Sequence, residues 1–190
     1  MLERARDLGA LGPGPVEDHI THAQRFVDSL TDSTGRLLDL GSGGGIPGLV
    51  IALARPDLRI TLLDSQARRV AFLDEAIDSL GLSHVTAHHG RAEVLARDPD
   101  HRASYAAVTA RSFGPPAVTA ECAAGFLEVG GHLLVSEPPG HPNRWPSEQV
   151  GELGLEVGPR HDGIQLLRAT SPCPDRWPRR DGMPAKRPLF

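Results

Sequence analysis

Two features of the sequence have the residue types and spacing for chemistry on a nucleoside. Leu37-Leu38-Asp39-Leu40-Gly41-Ser42-Gly43-Gly44-Gly45 sets glycines where an apolar run gives way to a turn, and Asp64 follows Gly45 by 19 residues. Glycines there let the backbone approach a ligand without interference from Cβ. If both apolar runs are parallel strands, their ends are neighbours, and Asp64 can accept hydrogen bonds from both ribose hydroxyls of an adenosine-containing ligand. The spacing is GxGxG, not the GxGxxG that supports a dinucleotide pyrophosphate. Asp39, two residues before Gly41, would repel phosphate and suits a ligand with a cationic amino-acid end. Two alternatives stay open on these residues alone: a glycine turn with no ligand, and NAD.

Further residues carry possible roles. Arg111 follows an expected strand at the carboxyl edge of the sheet, where it can hold a carboxylate or the acceptor, or simply pair with a nearby acid on the surface. Phe113 can stack on a base, a contact worth about 1–3 kcal/mol, or belong to the core. His88 and His89 are adjacent on an expected strand and therefore point to opposite faces, so no metal site is expected from them. Arg176, Arg179, Arg180, Lys186 and Arg187 form the concentrated basic stretch, read either as an RNA contact or as a solvated tail.

Positioning these residues requires strands and helices in alternation. Val16 to Leu30 has apolar residues at helical spacing after Pro15. Asp32-Ser33-Thr34-Gly35 reads as a turn, and Arg36 to Leu40 as a buried parallel strand. Pro47 suits the first turn of a helix running to Arg55, before Pro56. Arg59 to Leu63 is a second strand closed by Asp64, and Gln66 to Leu80 a helix ended by Gly81. His84 to His88, Tyr105 to Thr109 and Gly131 to Val135 follow as strands, with a helix from Pro116 to Leu127 and a turn at Gly130-Gly131. Leu155 to Val157 and Ile164 to Ala169 form a closing antiparallel pair, and Ser171 to Phe190 reads as irregular surface chain. The expected class is α/β: a doubly wound, mostly parallel seven-stranded sheet with helices on both faces.

Bulk properties bound the reading. At 190 residues the chain holds one domain of ordinary size with appended ends. With 39% apolar and 23% charged residues it is globular, and a formal net charge of −4 excludes a uniformly basic nucleic-acid binder. Cys122 and Cys173 have no CxxC or Cys/His cluster around them, so a reduced cytoplasmic protein without metal is expected. Met1 to Pro15 lacks the apolar run of a signal peptide, and no run approaches the length of a membrane span. No membrane association is expected, and a monomer is.

With those residues placed, the chain resembles the bacterial small-subunit rRNA guanine-N7 methyltransferases, the RsmG or glucose-inhibited division protein B family, over roughly residues 17–137. The resemblance is carried by Asp39-Leu40-Gly41-Ser42-Gly43-Gly44-Gly45-Ile46-Pro47-Gly48, by Leu63-Asp64-Ser65, and by Arg68-Arg69-Val70-Ala71-Phe72-Leu73. Gly90-Arg91-Ala92-Glu93 looks like the family's adenine-side loop, and Ala110-Arg111-Ser112-Phe113 like its Ser-Arg-Ala-Phe segment. Trp177-Pro178-Arg179-Arg180 and Gly182-Met183-Pro184-Ala185-Lys186-Arg187-Pro188-Leu189 resemble a tail of many members. Asp18-His19-Ile20 with Asp28-Ser29-Leu30 resembles a loosened His-Ile-x-Asp-Ser-Leu.

The resemblance implies a Rossmann-like class I methyltransferase that uses S-adenosyl-L-methionine on ribosomal RNA or the small ribosomal subunit. It implies cofactor contacts at Gly41, Ile46, Ala92, Glu93 and Arg111, with Gly43 and Gly45 in the loop and Asp64 and Ser65 on the ribose side. Arg111 and Phe113 are positioning candidates, and no catalytic base is implied, because guanine N7 already carries an available lone pair. The implied organisation is a helical cap over 1–34, the cofactor domain over 35–170 and a basic, Pro-rich tail over 171–190. Members usually carry a further N-terminal helical segment with a Trp-Asn-x-x-Asn-Leu-Thr-like motif, so a shortened, divergent member is expected. They also commonly show Leu-Lys-Gly where this chain has Val135-Ser136-Glu137-Pro138, an anion for a cation that would repel phosphate. A methyltransferase of the same lineage acting on a small molecule or another RNA, and a non-catalytic cofactor-binding module, are the alternatives.

Overall fold

The computed structural model describes residues 2–7, 9–30, 34–140 and 144–190. The turn expected over 32–35 falls partly on residues outside these. After helices α1 (Leu2–Asp7) and α2 (Val16–Ser29), strands and helices alternate: β1 (Arg36–Leu40), α3 (Gly48–Ala54), β2 (Arg59–Asp64), α4 (Ala67–Leu80), β3 (Val85–His89), α5 (Ala92–Leu95), β4 (Tyr105–Ala110), α6 (Pro116–Ala124) and β5 (Leu127–Ser136). Then come α7 (Ser147–Gly151), β6 (Leu155–His161), β7 (Ile164–Ala169) and α8 (Met183–Lys186).

The seven strands form one sheet in the order β3-β2-β1-β4-β5-β7-β6. Strands β1 to β5 are parallel, and β7 pairs antiparallel with both β5 and β6. The doubly wound expectation therefore holds. The order reverses between β1 and β4, the point at which such sheets open a crevice beyond their carboxyl ends. Among the described residues, no helix is long and apolar enough to cross a membrane.

Alternation along each strand divides the core into two layers. On one face Leu37, Ile60, Leu62 and Ala107 pack under Phe26, Leu49, Ile51, Phe72 and Leu73 of α2, α3 and α4. On the other, Leu38, Leu40, Val108 and Leu133 pack against Val118 and Cys122 of α6, with Phe126, Leu153 and Trp177. Each large apolar side chain removed from water in these layers contributes about 1.5–3 kcal/mol.

Three segments differ from the sequence expectation. Helix α6 stops at Ala124, because Gly125 and Phe126 turn back and the Phe126 amide donates to Ala123 O at 3.0 Å. Strand β5 then begins at Leu127, not Gly131, and the expected Gly130-Gly131 turn is a bulge inside it, with the register to β4 shifting between Tyr105 and Ala107. The stretch 171–190, expected as irregular surface chain, packs onto the domain: Trp177 and Pro178 are buried and α8 forms.

Candidate active site

The glycine loop is a spacer whose own donors are consumed. Gly41, Gly43 and Gly45 sit at φ of +71°, +54° and +85°, a region that side chains with a Cβ rarely adopt. The amides of Gly41 and Ser42 both donate to Leu63 O at 2.9 Å, and Gly43 N donates to Asp64 Oδ2 at 2.9 Å. Gly44 N donates to Ala10 O at 2.9 Å and Gly45 N to Ser42 O at 2.7 Å. All five amides from Gly41 to Gly45 are therefore satisfied within the protein. A phosphate-cradling loop needs such amides free.

Asp64 ends β2 beside the loop and is buried. Its Oδ2 accepts from Gly43 N and its Oδ1 from Gln66 N, both at 2.9 Å, while Arg69 Nη1 lies 3.6 Å from Oδ2. A carboxylate has about four acceptor positions, so this one retains capacity for a diol. Asp64 lines a cavity of about 300 Å³ together with Gly41, Ser65, Ala92, Glu93 and Phe113. A Cβ on Gly41 would stand 2.6 Å from Phe113 Cδ2, so glycine is what lets the ring close over the loop.

The far end of this cavity is closed by the tail. Glu93 is buried, and its Oε1 accepts from Arg91 Nη2 at 3.0 Å and from the Gly182 amide at 3.1 Å. Arg91 also pairs with Asp181 at 3.0 Å, and Ala185 joins the lining. Sequence reasoning placed this tail on the surface because its anchors are remote: Arg179 N and Nε donate to Glu121 Oε1 at 2.8 and 2.9 Å, and its Nη2 to Oε2 at 2.6 Å.

A neighbouring cavity of about 240 Å³ is lined by Gly41, Gly43, Ile46, Arg69, Arg111 and the segment Gly9 to Gly12. Arg111 is half-buried, and burial lowers its pKa while the nearby Asp39 opposes that shift. Arg111 Nη2 donates to His19 Nδ1, so the other His19 nitrogen carries the proton and donates to Gly12 O at 3.0 Å. The loosened Asp18-His19-Ile20 motif thus steadies Arg111. Arg69 lines both cavities, and its Nε is buried without a hydrogen-bond partner among the described residues.

Three sequence-picked residues stand elsewhere than expected. Gly45 lines neither cavity; a Cβ there would meet Leu49 Cδ1 at 2.3 Å, so its role is to let the loop turn tightly into α3. Asp39 also lines neither cavity. It is buried behind the loop, accepting from Thr109 Oγ1 at 2.7 Å and from Gly48 N at 3.2 Å, and burial raises its pKa to about 6. Glu137 is not an exposed anion: it is buried, accepting from Arg144 Nη1 at 2.7 Å and Trp145 Nε1 at 3.1 Å. Arg144 compensates the charge that sequence reasoning set against phosphate.

Glu137 belongs to a further pocket of about 390 Å³, with His22, Ser136, Gly114 and Arg144. Ser112 and Phe113 line both this pocket and the 300 Å³ cavity, so the two share a wall. His22 Nε2 and Ser136 Oγ, both lining the pocket, are 2.9 Å apart, and burial lowers the His22 pKa, with Arg111 and Arg25 acting in the same sense.

Comparison with known proteins identifies the lineage. Residues 15–137 match the family model described as rRNA small subunit methyltransferase G. A ribosomal RNA small subunit methyltransferase G of Deinococcus radiodurans is 38% identical, with 88% of this chain and 74% of that protein covered. One from Rubrobacter xylanophilus is 36% identical, covering 98% and 78%. Among solved structures, an S-adenosylmethionine-dependent methyltransferase from Aquifex aeolicus superposes with a TM-score of 0.61 at 15% identity, over 87% of this chain and 96% of that one, a likeness of fold.

Proposed function

The chain belongs to the rRNA small subunit methyltransferase G family, and from that premise we propose that it methylates N7 of a guanine in small-subunit ribosomal RNA. The observation that carries this reading is the shared wall: Ser112 and Phe113 stand between a nucleoside-sized cavity and a second pocket. A cytoplasmic monomer acting on ribosomal RNA or the small subunit fits the reading.

The residues fit S-adenosylmethionine. Asp64 has spare acceptor capacity for the ribose hydroxyls, with Ser65 beside it, and Ala92 and Glu93 line the adenine end. Arg111, with Gly43 and Ile46, lines the smaller cavity, where a cation suits the amino-acid carboxylate; the unpartnered Arg69 Nε is a second donor for it. When bound, S-adenosylmethionine supplies an electrophilic methyl group. The protein's task is alignment and exclusion of water, and orientation of this kind lowers a barrier by up to about 7–11 kcal/mol. Phe113 faces the acceptor and holds its ring. No side chain has to remove a proton, since the N7 lone pair is free to attack. Arg180, Lys186 and Arg187 are exposed on the segment whose Ala185 lines the cofactor cavity, and they supply cations for the RNA backbone.

Calorimetric titration with S-adenosylmethionine and S-adenosylhomocysteine tests the first half: binding is expected, with Asp64→Ala weakening it severely. Mass spectrometry of small-subunit rRNA nucleosides from cells with and without the gene tests the second. No binding, or an unchanged 7-methylguanosine content, would overturn the corresponding half.

A further inference from the structure

We propose that Glu137 selects the acceptor base by accepting hydrogen bonds from the N1–H and N2–H2 edge of guanine in the pocket next to the cofactor cavity. The inference rests on the functional reading above and adds the residue that discriminates the base.

Glu137 directly follows β5, its side chain is 3% exposed, and the residue lines the pocket. Among the described residues, Arg144 and Trp145 each take one acceptor position, one on each oxygen, and a carboxylate has about four. The remaining positions can serve a two-donor edge, with the guanidinium compensating the charge. Guanine is the base whose pairing edge offers two adjacent donors. Adenine sets its N1 lone pair against the carboxylate, and cytosine and uracil set their acceptors there. A buried acceptor facing a lone pair is penalised on both sides, which makes the discrimination strong.

The pocket also sets direction. In a purine, N7 lies on the side of the ring system away from N1 and N2. Glu137 lines this pocket alone, whereas Ser112 and Phe113 line both it and the cofactor cavity. A guanine held by its pairing edge at Glu137 therefore turns N7 toward the methyl donor, while Phe113 is available to stack on its face. The base must leave its pairing partner to enter, as bases recognised by this edge in RNA do.

The test compares methyl transfer to small-subunit rRNA carrying either guanosine or a single ligated inosine at the methylated position. Inosine keeps N7 and N1–H but lacks the N2 amino group. For the wild type, kcat/KM is expected to fall about tenfold or more on inosine. Glu137→Gln is expected to lower kcat/KM on guanosine by a similar factor, to lose little more on inosine, and to bind S-adenosylhomocysteine as the wild type does. The inosine comparison in the wild type needs no variant, so poor folding of the Gln protein leaves the test intact. Equal rates on guanosine and inosine in the wild type overturn the role of Glu137 alone. Failure to bind S-adenosylhomocysteine, or to methylate either RNA, overturns the functional reading with it.

Discussion

Replacing Arg179 by Met puts the tail's role to a quantitative test. Glu121 on α6 is fully buried, and Arg179 supplies three donors to its carboxylate, two of them from the guanidinium. Arg179→Met keeps the backbone donor and most of the aliphatic volume but leaves the buried carboxylate without a counter-charge. Removing one partner of a buried pair costs about 3–5 kcal/mol. Arg179 is itself 27% exposed, so water reaches the site and the lower end applies, about 3 kcal/mol. For a chain of this size that corresponds to a fall in Tm of roughly 6–12 °C.

The same variant should weaken cofactor binding without altering a residue of the cavity. Arg179 Nη2 also donates to Arg187 O at 2.6 Å, which holds the end of α8, and the same segment brings Gly182 to Glu93 and Ala185 into the cavity wall. The assay is thermal unfolding with and without saturating S-adenosylhomocysteine, on the wild type, Arg179→Met, Glu121→Gln and the double variant. The double variant removes the orphaned charge and should recover part of the loss in Tm. An Arg179→Met protein within about 1 kcal/mol of wild type, or a double variant less stable than the single one, would refute the reasoning.

Two further outcomes follow from the residues behind the loop. Asp39, with a folded pKa of about 6 against an unfolded value near 3.9, binds a proton in the native state first as pH falls; its contribution to stability therefore declines by about 3 kcal/mol as pH rises from about 4 through 6, and is flat above. His22, His101 and His132, all lowered by burial, act oppositely as pH falls below their ordinary value, so the readout is the difference in urea unfolding between Asp39→Asn and wild type, which should grow across that window; a constant difference would contradict the assignment. Gly48→Ala should destabilise by about 1–3 kcal/mol although alanine favours helices, because its Cβ would stand 2.3 Å from Leu62 Cδ2 and 2.7 Å from Asp39 Oδ2; denaturant unfolding at wild-type stability would show that the helix shifts freely instead.

The legible parts of the sequence were those whose structure is set locally. Short apolar runs and helical spacing locate β1, β2, α2 and α4 to within a residue or two, and Gly41 and Asp64 announce the cavity because strand ends in a parallel sheet are neighbours by topology. What escaped depends on partners far away in the chain. Nothing near Trp177 announces that Arg179 will find Glu121, 58 residues upstream, and nothing in Gly9 to Gly12 announces that Ala10 O will receive the Gly44 amide. Glu137 reads in the sequence as an anion set against phosphate, because Arg144, seven residues on, compensates it only after the chain folds back. Asp39 was within reach: alternation in β1 puts it on the face of Leu37, under α3, and that was the available sign that it turns away from the ligand.

Asp39 also changes why the loop rejects a pyrophosphate. Its carboxylate is buried behind the loop and bonded to Thr109 and Gly48, so repulsion by its charge is not what acts on a ligand. The stronger reason lies in the amides. A dinucleotide loop holds phosphate with free N–H groups, whereas here Leu63, Asp64, Ala10 and Ser42 take every one from Gly41 to Gly45. The loop consequently offers room without donors, and the charged side chains lining the cavities around it are Asp64, Glu93, Arg69, Arg91 and Arg111. Two of these are steadied by the chain's flanking segments, Arg111 through His19 and Gly12, and Glu93 through Gly182. The glycines leave room for the cavities, and the segments before β1 and after β7 supply part of their walls.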